Sequence, residues 1–363
     1  MAVLTTRALN RATLERQWLL RRVDQPPRTV VEHLTGLQAQ DPPLPYLGLW
    51  ARIRAFDKDA LTRLLHDRTV VRATLHRGTQ HLVSAQDYLW LRPTLAPMLE
   101  RRWRTAFRKA TEGVDPARLT AMVHALLAQA GSLTRPQLAA ALAERWPDHD
   151  GMQLAWAAQG LLPVVHPPPS GTWGHQGPTP FALAETWLGR RPDGQGSPET
   201  LIRRHLAAFG PATVRDIQAW SGLTRLNEVV DRIRPTLRVH RGETGAELLD
   251  LPGTPLPDPD TPAPPRFLPA LDNVVIGYAD RSRLMTDEER RRVVVEAPLT
   301  ADGFLCGFWR IERQGPKATL HIDLTRPLAA RRRGEVAAEG ERLLRFTDPD
   351  AAAHDIAFRG HHT

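Results

Sequence analysis

The chain of 363 residues is 42% hydrophobic and 24% charged, which is typical of two to four soluble globular domains and excludes one ordinary core. Its one cysteine, Cys306, excludes an intramolecular disulfide and a thiolate metal cluster. The net charge of +8 favours an anionic partner, nucleic acid first, although the excess is almost all arginine, which a GC-rich genome also favours.

Targeting and cofactor motifs are absent from the sequence. The first 22 residues are charged throughout and no apolar run approaches membrane-spanning length, so we expect a cytoplasmic protein with no signal peptide and no membrane partner. The 14 histidines lack the spacing of a metal site. No phosphate-binding loop, dinucleotide fingerprint or serine elbow is present, and we expect no metal and no cofactor.

The first predicted unit, residues 1–110, begins with a helical pattern. Thr29 and Glu32 have the spacing of a capping box. One apolar helix face follows, formed by Val31, Leu34 and Leu37. Strand-like segments at 69–72 and 80–83 flank a turn, which predicts a hairpin after the helices and hence a winged helix.

The most informative segment is Gln38-Ala39-Gln40, followed by Asp41 and a proline. Because a residue before proline is pushed toward extended geometry, we expect the segment to be extended and the two glutamines to point the same way. Two neutral amides on one side could hold a water molecule or a ligand group. By itself such a triplet is far more often two solvated polar residues at a helix end than a functional site.

Two further units, at residues 111–195 and 196–252, repeat the pattern of helices followed by a hairpin. In each, a glycine turn precedes a helix that Thr134 or Thr213 is predicted to cap. The third unit has a clear hairpin pattern, with strands at 237–240 and 248–251.

The last part of the chain changes character after a proline-rich linker at residues 253–265. Residues 266–363 read as a β-rich domain, with predicted strands at 274–276, 293–295, 304–311 and 318–322. The predicted fold is therefore mainly α with β, made of three tandem winged-helix domains and a C-terminal β-rich domain.

Three segments carry a family resemblance that spans nearly the whole chain: Thr35–Asp41, Val71–Leu82 and Phe267–Asn273. With them the sequence resembles the winged-helix DNA glycosylases of the AlkZ/AlkX (YcaQ-like) group, bacterial enzymes that remove alkylated bases and unhook interstrand crosslinks. Some members have an acid at the second glutamine position. Gln40 places this chain nearer the AlkZ type, which is associated with azinomycin self-resistance.

The resemblance implies a function and its catalytic residues. Gln38 and Gln40 fall on the family's catalytic positions, where neutral amides would place a water molecule against an activated N7-alkylguanine. It implies a monofunctional DNA glycosylase that acts as a monomer on double-stranded DNA with alkylated guanine or interstrand crosslinks, in the bacterial cytoplasm near the nucleoid. The alternative is a winged-helix transcriptional regulator without catalysis, which fold and charge fit equally well.

DNA contacts are expected at the wings and in the segment that opens the C-terminal domain. The turn of the first predicted hairpin, Arg77-Gly78-Thr79, is called the first wing and could bind a phosphate. Gly78 would suit an ordinary hairpin turn equally well. The third wing could probe the minor groove or lie in solvent, and the arginines after Asp280 could instead pair with Asp272. The candidate DNA-binding residues are Arg77, Thr79, His81, Arg238, Arg241, Arg281 and Arg283.

Overall fold

A computed structural model of the chain describes residues 3–192 and 194–360. Helices account for 45% of it and strands for 19%, so the chain is mixed, with helix dominant, as predicted. Within the described ranges no helix combines the length and apolarity needed to cross a bilayer.

The N-terminal part contains four helices and one small sheet. Its elements are β1 (Val3–Leu4), α1 (Thr6–Arg16), α2 (Pro27–His33), β2 (Leu37–Gln38), α3 (Pro43–Arg52), α4 (Lys58–His66), β3 (Val70–Thr74), a 3₁₀ turn (His76–Gly78) and β4 (Gln80–Ser84). The sheet order is β2-β4-β3, and both pairings are antiparallel. The second strand of the β3–β4 hairpin, β4, therefore lies in the middle of the sheet.

The helix before the glutamines differs from the sequence prediction. It starts at Pro27 without a side-chain cap, so the predicted capping box at Thr29 is wrong. Proline suits the first helical turn because the missing N–H has no helical partner there. Left-handed backbone at Thr35 and Gly36 ends the helical path and turns the chain into β2. Gly36 is required, since a Cβ there would lie 2.7 Å from Val83 Cγ1.

Two similar arrangements follow a long helix. The elements are α5 (Ala85–Ala106), α6 (Pro116–Ala130), β5 (Leu133–Thr134), α7 (Arg135–Arg145), α8 (Gly151–Leu161), β6 (Val164–Val165), β7 (Pro180–Leu183), α9 (Ala184–Leu188), α10 (Pro198–Phe209), α11 (Val214–Ser221), α12 (Asn227–Ile233), a 3₁₀ turn (Arg234–Thr236), β8 (Arg238–Gly242) and β9 (Glu247–Asp250). The sheets are ordered β5-β7-β6 and β1-β8-β9. An isolated β-bridge between Ala212 and Leu249 gives β9 a neighbour on its other side. The last strand of each arrangement, β7 or β9, therefore again lies between two neighbours.

Local signals in these two arrangements behave as the sequence predicted. Thr134 and Thr213 each form a capping box, with Gln137 and Asp216 respectively. The predicted third hairpin is present as β8 and β9, paired in antiparallel register. Short-range capping chemistry was sufficient to place both helix starts.

The C-terminal part is built on a five-stranded sheet. Its elements are β10 (Arg266–Phe267), α13 (Asn273–Ile276), α14 (Asp287–Arg292), β11 (Ala297–Ala301), β12 (Phe304–Gln314), β13 (Lys317–Leu324), α15 (Ala330–Thr347) and β14 (Ala353–Arg359). The strands are ordered β10-β11-β12-β13-β14, with only β13 and β14 parallel to each other. The predicted strands at 304–311 and 318–322 are confirmed.

The other two predicted strands are wrong. Residues 274–276 lie in α13, because the Asp272 carboxylate accepts the Val274 N–H and starts a helical turn. Residues 293–295 follow α14, which begins at a Thr286–Glu289 capping box. Valine-rich runs favour strands only when local capping does not compete.

The first sheet region and the C-terminal sheet share one core, and a buried ion pair joins them. The two Arg52 terminal nitrogens donate to the two Asp272 oxygens at 2.8 Å, and both side chains are 0% exposed. The anticipated pairing of Asp272 with Arg281 or Arg283 is therefore wrong. The proline-rich segment before β10 has neither helix nor strand, yet Ala263 within it is buried.

Candidate active site

The Gln-Ala-Gln backbone is extended at Gln38, as the sequence predicted, whereas Gln40 lies in a bend. Gln38 pairs with His81 across the antiparallel β2 and β4 strands. Beyond the end of β2, the Ala39 N–H donates to the Gln80 carbonyl at 2.8 Å. The glutamines thus lie at the edge of a small sheet whose neighbour, β4, begins directly after the first wing.

Arg72 lies on β3, at the other edge of the same sheet, and holds the glutamine segment in place. Its Nε donates to the Ala39 carbonyl at 2.8 Å, and its Nη2 donates to the Gln40 carbonyl at 3.1 Å. Burial lowers the pKa of Arg72 to about 10. Sequence reasoning assigned Arg72 no role, although an arginine between Val71 and Ala73 in a buried strand pattern is an anomaly that signals one.

A second anchor comes from the C-terminal part. The Asn273 amide donates to the Gly36 carbonyl at 2.7 Å, immediately before β2. Asn273 follows Asp272, whose pairing with Arg52 fixes this corner of the core. The Leu-Pro-Ala-Leu-Asp-Asn segment that marked the family resemblance therefore braces the glutamine segment from 237 residues away.

The Gln38 side chain is only 5% exposed and contacts the first wing. Its Oε1 accepts two long hydrogen bonds, from Arg77 Nη2 and from the Thr79 hydroxyl, both at 3.4 Å. Arg77 adopts left-handed backbone at φ 56° and also donates to the Trp220 carbonyl. Gln38 therefore does not lie on an open surface.

Gln40, in contrast, is exposed. Its Oε1 accepts the Gln80 N–H at 3.3 Å. It lines a half-open cavity of about 190 Å³, which we call the glutamine cavity; its walls include Gln80, Arg102, Trp103, Trp156 and Gln159. Asp41 beside it is exposed and does not line this cavity.

Four arginines continue from the glutamines across the surface, and we call them the arginine strip: Arg102, Arg77, Arg281 and Arg290. Burial, then the charges of Arg281 and Arg102, lowers the pKa of Arg77 to about 10. Burial and the neighbouring Arg290 also lower the pKa of Arg281. Among residues 3–192 and 194–360, no carboxylate forms an ion pair with any member of the strip. Such mutually repelling cations favour a bound anion.

The first-wing histidines are buried beneath this strip. His81 is 2% exposed, and its Nδ1 lies 3.0 Å from the Thr79 carbonyl oxygen. Burial and the Arg77 charge lower the pKa of His81 to about 3, so its ring is neutral at physiological pH. His76 packs against Trp220 with ring centroids 4.2 Å apart. These histidines support the wing from inside.

The remaining candidate DNA-binding residues fall into different environments. Arg238 and Arg241 are exposed on β8, beside β1. Arg281 is half-buried within the arginine strip. Arg283 is 5% exposed, donates to the Pro211 carbonyl at 2.9 Å and lies over the Tyr278 ring at 4.0 Å. The structure thus groups Arg77, Thr79 and Arg281 with the glutamines, whereas Arg283 braces the interior.

Known proteins are similar to this chain in sequence and in fold. The family model described as DNA glycosylase AlkZ-like matches residues 31–346. An interstrand DNA cross-link repair glycosylase of Streptomyces sahachiroi is 27% identical over 338 residues, 83% of this chain and 86% of that protein. The solved Streptomyces sahachiroi DNA glycosylase AlkZ has the same fold, with a TM-score of 0.79 over 99% of this chain and 100% of that chain, at 21% identity. Since the family match spans most of its length, the chain belongs to the AlkZ-like DNA glycosylase family, as the resemblance predicted.

Proposed function

We propose that this glycosylase hydrolyses the N-glycosidic bond of N7-alkylguanine in duplex DNA and unhooks guanine-linked interstrand crosslinks. Gln38 and Gln40 place the attacking water. The enzyme acts as a monomer, without lyase chemistry, through three winged-helix modules whose hairpin strands are β3–β4, β6–β7 and β8–β9. Catalysis without a carboxylate base fits a substrate whose base already carries positive charge and departs neutral.

The hydrogen bonds around the two amides give them different tasks. Gln38 Oε1 already accepts from Arg77 and Thr79, so its amide hydrogens are the groups left to donate to a water oxygen. Gln40 Oε1 accepts one backbone N–H and keeps a second lone pair for a water proton. One amide orients the water and the other accepts from it.

Phosphates bind along the arginine strip and the Thr79 hydroxyl, with Arg238 and Arg241 contacting the backbone or minor groove from the third wing. His81 and Arg283 act indirectly, by holding the first wing and the α1–α11 region in place. The exposed position of Gln40 supports action on a lesion tied to both strands. Gln40, where some family members have an acid, also supports a role in resistance to azinomycin-type crosslinkers.

One observation carries the proposal: a neutral glutamine pair, fixed by Arg72 and β4, lies beside arginines that form no ion pair with a carboxylate in the described part of the chain. The test is incubation with a duplex that contains one N7-methylguanine. We expect release of the free base and an abasic site that breaks only after alkali. Borohydride trapping of a protein–DNA adduct, or an intact base after excess enzyme, would contradict it. Persistence of the slow band of an azinomycin-crosslinked duplex on a denaturing gel would reject crosslink unhooking alone.

A further inference from the structure

The direction in which the Gln38 amide faces is not fixed by the glutamine itself. A carboxamide has an acceptor oxygen at one end and two donor hydrogens at the other, and it can present either end to a neighbour. The proposed mechanism requires the Gln38 N–H groups to face the attacking water, so Oε1 has to face the first wing. A neighbouring group must select that orientation.

The Thr79 hydroxyl does not make this selection. It has one hydrogen and two acceptors within reach, the His76 carbonyl at 3.1 Å and Gln38 Oε1 at 3.4 Å. While the hydrogen is donated to the nearer acceptor, the hydroxyl oxygen is free to accept a Gln38 N–H instead. Thr79 is therefore compatible with both orientations of the Gln38 amide.

Arg77 is compatible with only one orientation. Its guanidinium has donors and no acceptor, so the Gln38 atom that it meets at 3.4 Å has to be the oxygen. A flipped amide would bring its N–H groups against a cation. Among the hydrogen bonds of the Gln38 side chain in the described part of the chain, the one from Arg77 is thus the bond that imposes a direction.

The carboxyl end of α11 holds Arg77. Arg77 Nη1 donates to the carbonyl of Trp220, which lies in the last turn of the helix and lacks a helical partner there. Trp220 is 2% exposed and packs against the His76 and His205 rings, so this carbonyl is firmly placed. A Cβ at Gly222 would lie 3.2 Å from the Arg77 Cα. The left-handed backbone of Arg77 is one that arginine rarely adopts, and such strain is typical of functional sites.

We propose that Arg77 is a positioning residue: held by the end of α11, it fixes the Gln38 amide with its oxygen toward the first wing and its N–H groups toward the attacking water. The inference rests on the proposed function, which gives Gln38 the task of orienting that water. Arg77 then acts on the rate through Gln38, separately from the phosphate contacts proposed for the arginine strip.

The test is a double-mutant cycle in single-turnover excision of N7-methylguanine. Arg77→Met removes the donors and keeps a long side chain, and it should slow excision at least about tenfold. In a Gln38→Ala enzyme the same substitution should change the rate less than about twofold, because no amide remains to be oriented. An equal loss in both backgrounds would overturn the inference.

A matched pair of glycines tests the part played by α11. Gly222 and Gly131 follow the last residues of α11 and α6 at φ 82° and 75°, so alanine strains both positions alike. A Cβ at Gly222 meets Arg77, whereas one at Gly131 meets nothing within 4 Å. Gly222→Ala should slow excision at least about threefold, and Gly131→Ala should excise at the normal rate. Equal rates for the two variants would overturn the role assigned to α11.

A spectroscopic arm follows the amide without using activity. The side-chain N–H₂ signals of Gln38 are identified by their loss in Gln38→Ala. Their nuclear Overhauser effect to the Thr79 side chain should be stronger in Arg77→Met than in the wild type or Gly131→Ala, because a released amide also adopts the flipped orientation. Equal intensities would overturn the inference.

This readout separates the inference from the proposed function. If the wild type excises nothing, the proposed function fails and the Overhauser intensities decide the orienting role of Arg77 by themselves. They also decide it if excision by Gln38→Ala is too slow to measure. Should Arg77→Met not fold, Arg77→Gly replaces it with the same expected results, because glycine readily adopts the left-handed backbone at this position.

Discussion

Arginines in two regions of the molecule have opposite environments. On α15, Arg331, Arg342 and Arg345 each pair with a glutamate three or four residues away on the same helix. In the arginine strip, burial and then neighbouring arginines lower the pKa of both Arg77 and Arg281. The difference teaches that a net charge of +8 says little about function until the paired arginines are set aside.

The physical consequence differs as well. An exposed helical pair contributes about 0.3–0.5 kcal/mol and leaves little field beyond the pair. A half-buried arginine among other arginines has lost water without gaining a counter-charge, which is why the pKa of Arg77 falls to about 10 through burial first. A phosphate at the strip would supply the missing charge. The arginine strip should therefore contribute more binding free energy to DNA than the paired arginines of α15.

The largest expected effect contrasts a buried pair with a surface pair. Asp272→Asn keeps the α13 cap but removes the charge opposite Arg52, and should cost about 3–5 kcal/mol of unfolding free energy, because a buried guanidinium is left uncompensated. Glu341→Gln, which breaks the exposed pair with Arg345, should cost less than about 1 kcal/mol. Urea titrations of both variants make the comparison; equal losses would contradict it.

The next effect concerns the arginine that holds the glutamine backbone. Arg72→Met leaves the Ala39 and Gln40 carbonyls without donors, so excision should fall more than about tenfold and stability by about 1–3 kcal/mol. Arg63→Met, an exposed arginine on α4, is the control and should change neither. Single-turnover kinetics and thermal melting are the measurements. An Arg72→Met enzyme of normal rate would show that the carbonyl contacts are dispensable.

A smaller effect measures the strip directly. Arg281→Ala and Arg290→Ala should each weaken binding to undamaged duplex and lower the salt slope by about 0.9, since each removes one phosphate contact. Arg345→Ala, taken from the paired region, should leave the slope unchanged. Fluorescence anisotropy over a range of salt concentrations checks this. Equal slopes for all three variants would place the DNA elsewhere.

The smallest expected effect is on pH dependence. Burial keeps His81 neutral, with its pKa lowered from 6.5 to about 3, and the glutamines do not titrate, so excision should vary less than about twofold between pH 6 and 8. Stability behaves differently: below pH 6.5 the unfolded state binds protons that folded His81 does not, so stability is complete above that pH and falls as pH drops toward 3. His81→Gln should reduce this fall in the melting temperature, and the buried His166 and His205, whose pKa values are also lowered, account for part of the remainder. A bell-shaped rate profile within pH 6–8 would point to an ionising catalyst instead.

Short-range signals explain what the sequence could predict. Thr134 and Thr213 have their capping partners three residues away, so both helix starts were predicted. The Gln-Ala-Gln motif was assigned its role through the family resemblance, and the proline that follows it predicted its extended geometry. The supports of that motif are not local. Arg72 and Asn273 reach it across 33 and 237 residues, through contacts that no periodicity encodes. The buried position of Gln38 also depends on the folded wing.

The central claim is that neutral glutamines catalyse while arginines bind. Its most direct measurement is single-turnover excision of N7-methylguanine, together with duplex affinity, for Gln38→Ala and Gln40→Ala. Gln86→Ala, an exposed glutamine on α5, is the control. We expect each active-site variant to lose about 10- to 1000-fold in rate while affinity stays within about threefold, because a positioned water affects the chemical step and phosphate contacts dominate binding. Normal excision by both variants, or a collapse of DNA binding in either, would contradict the account.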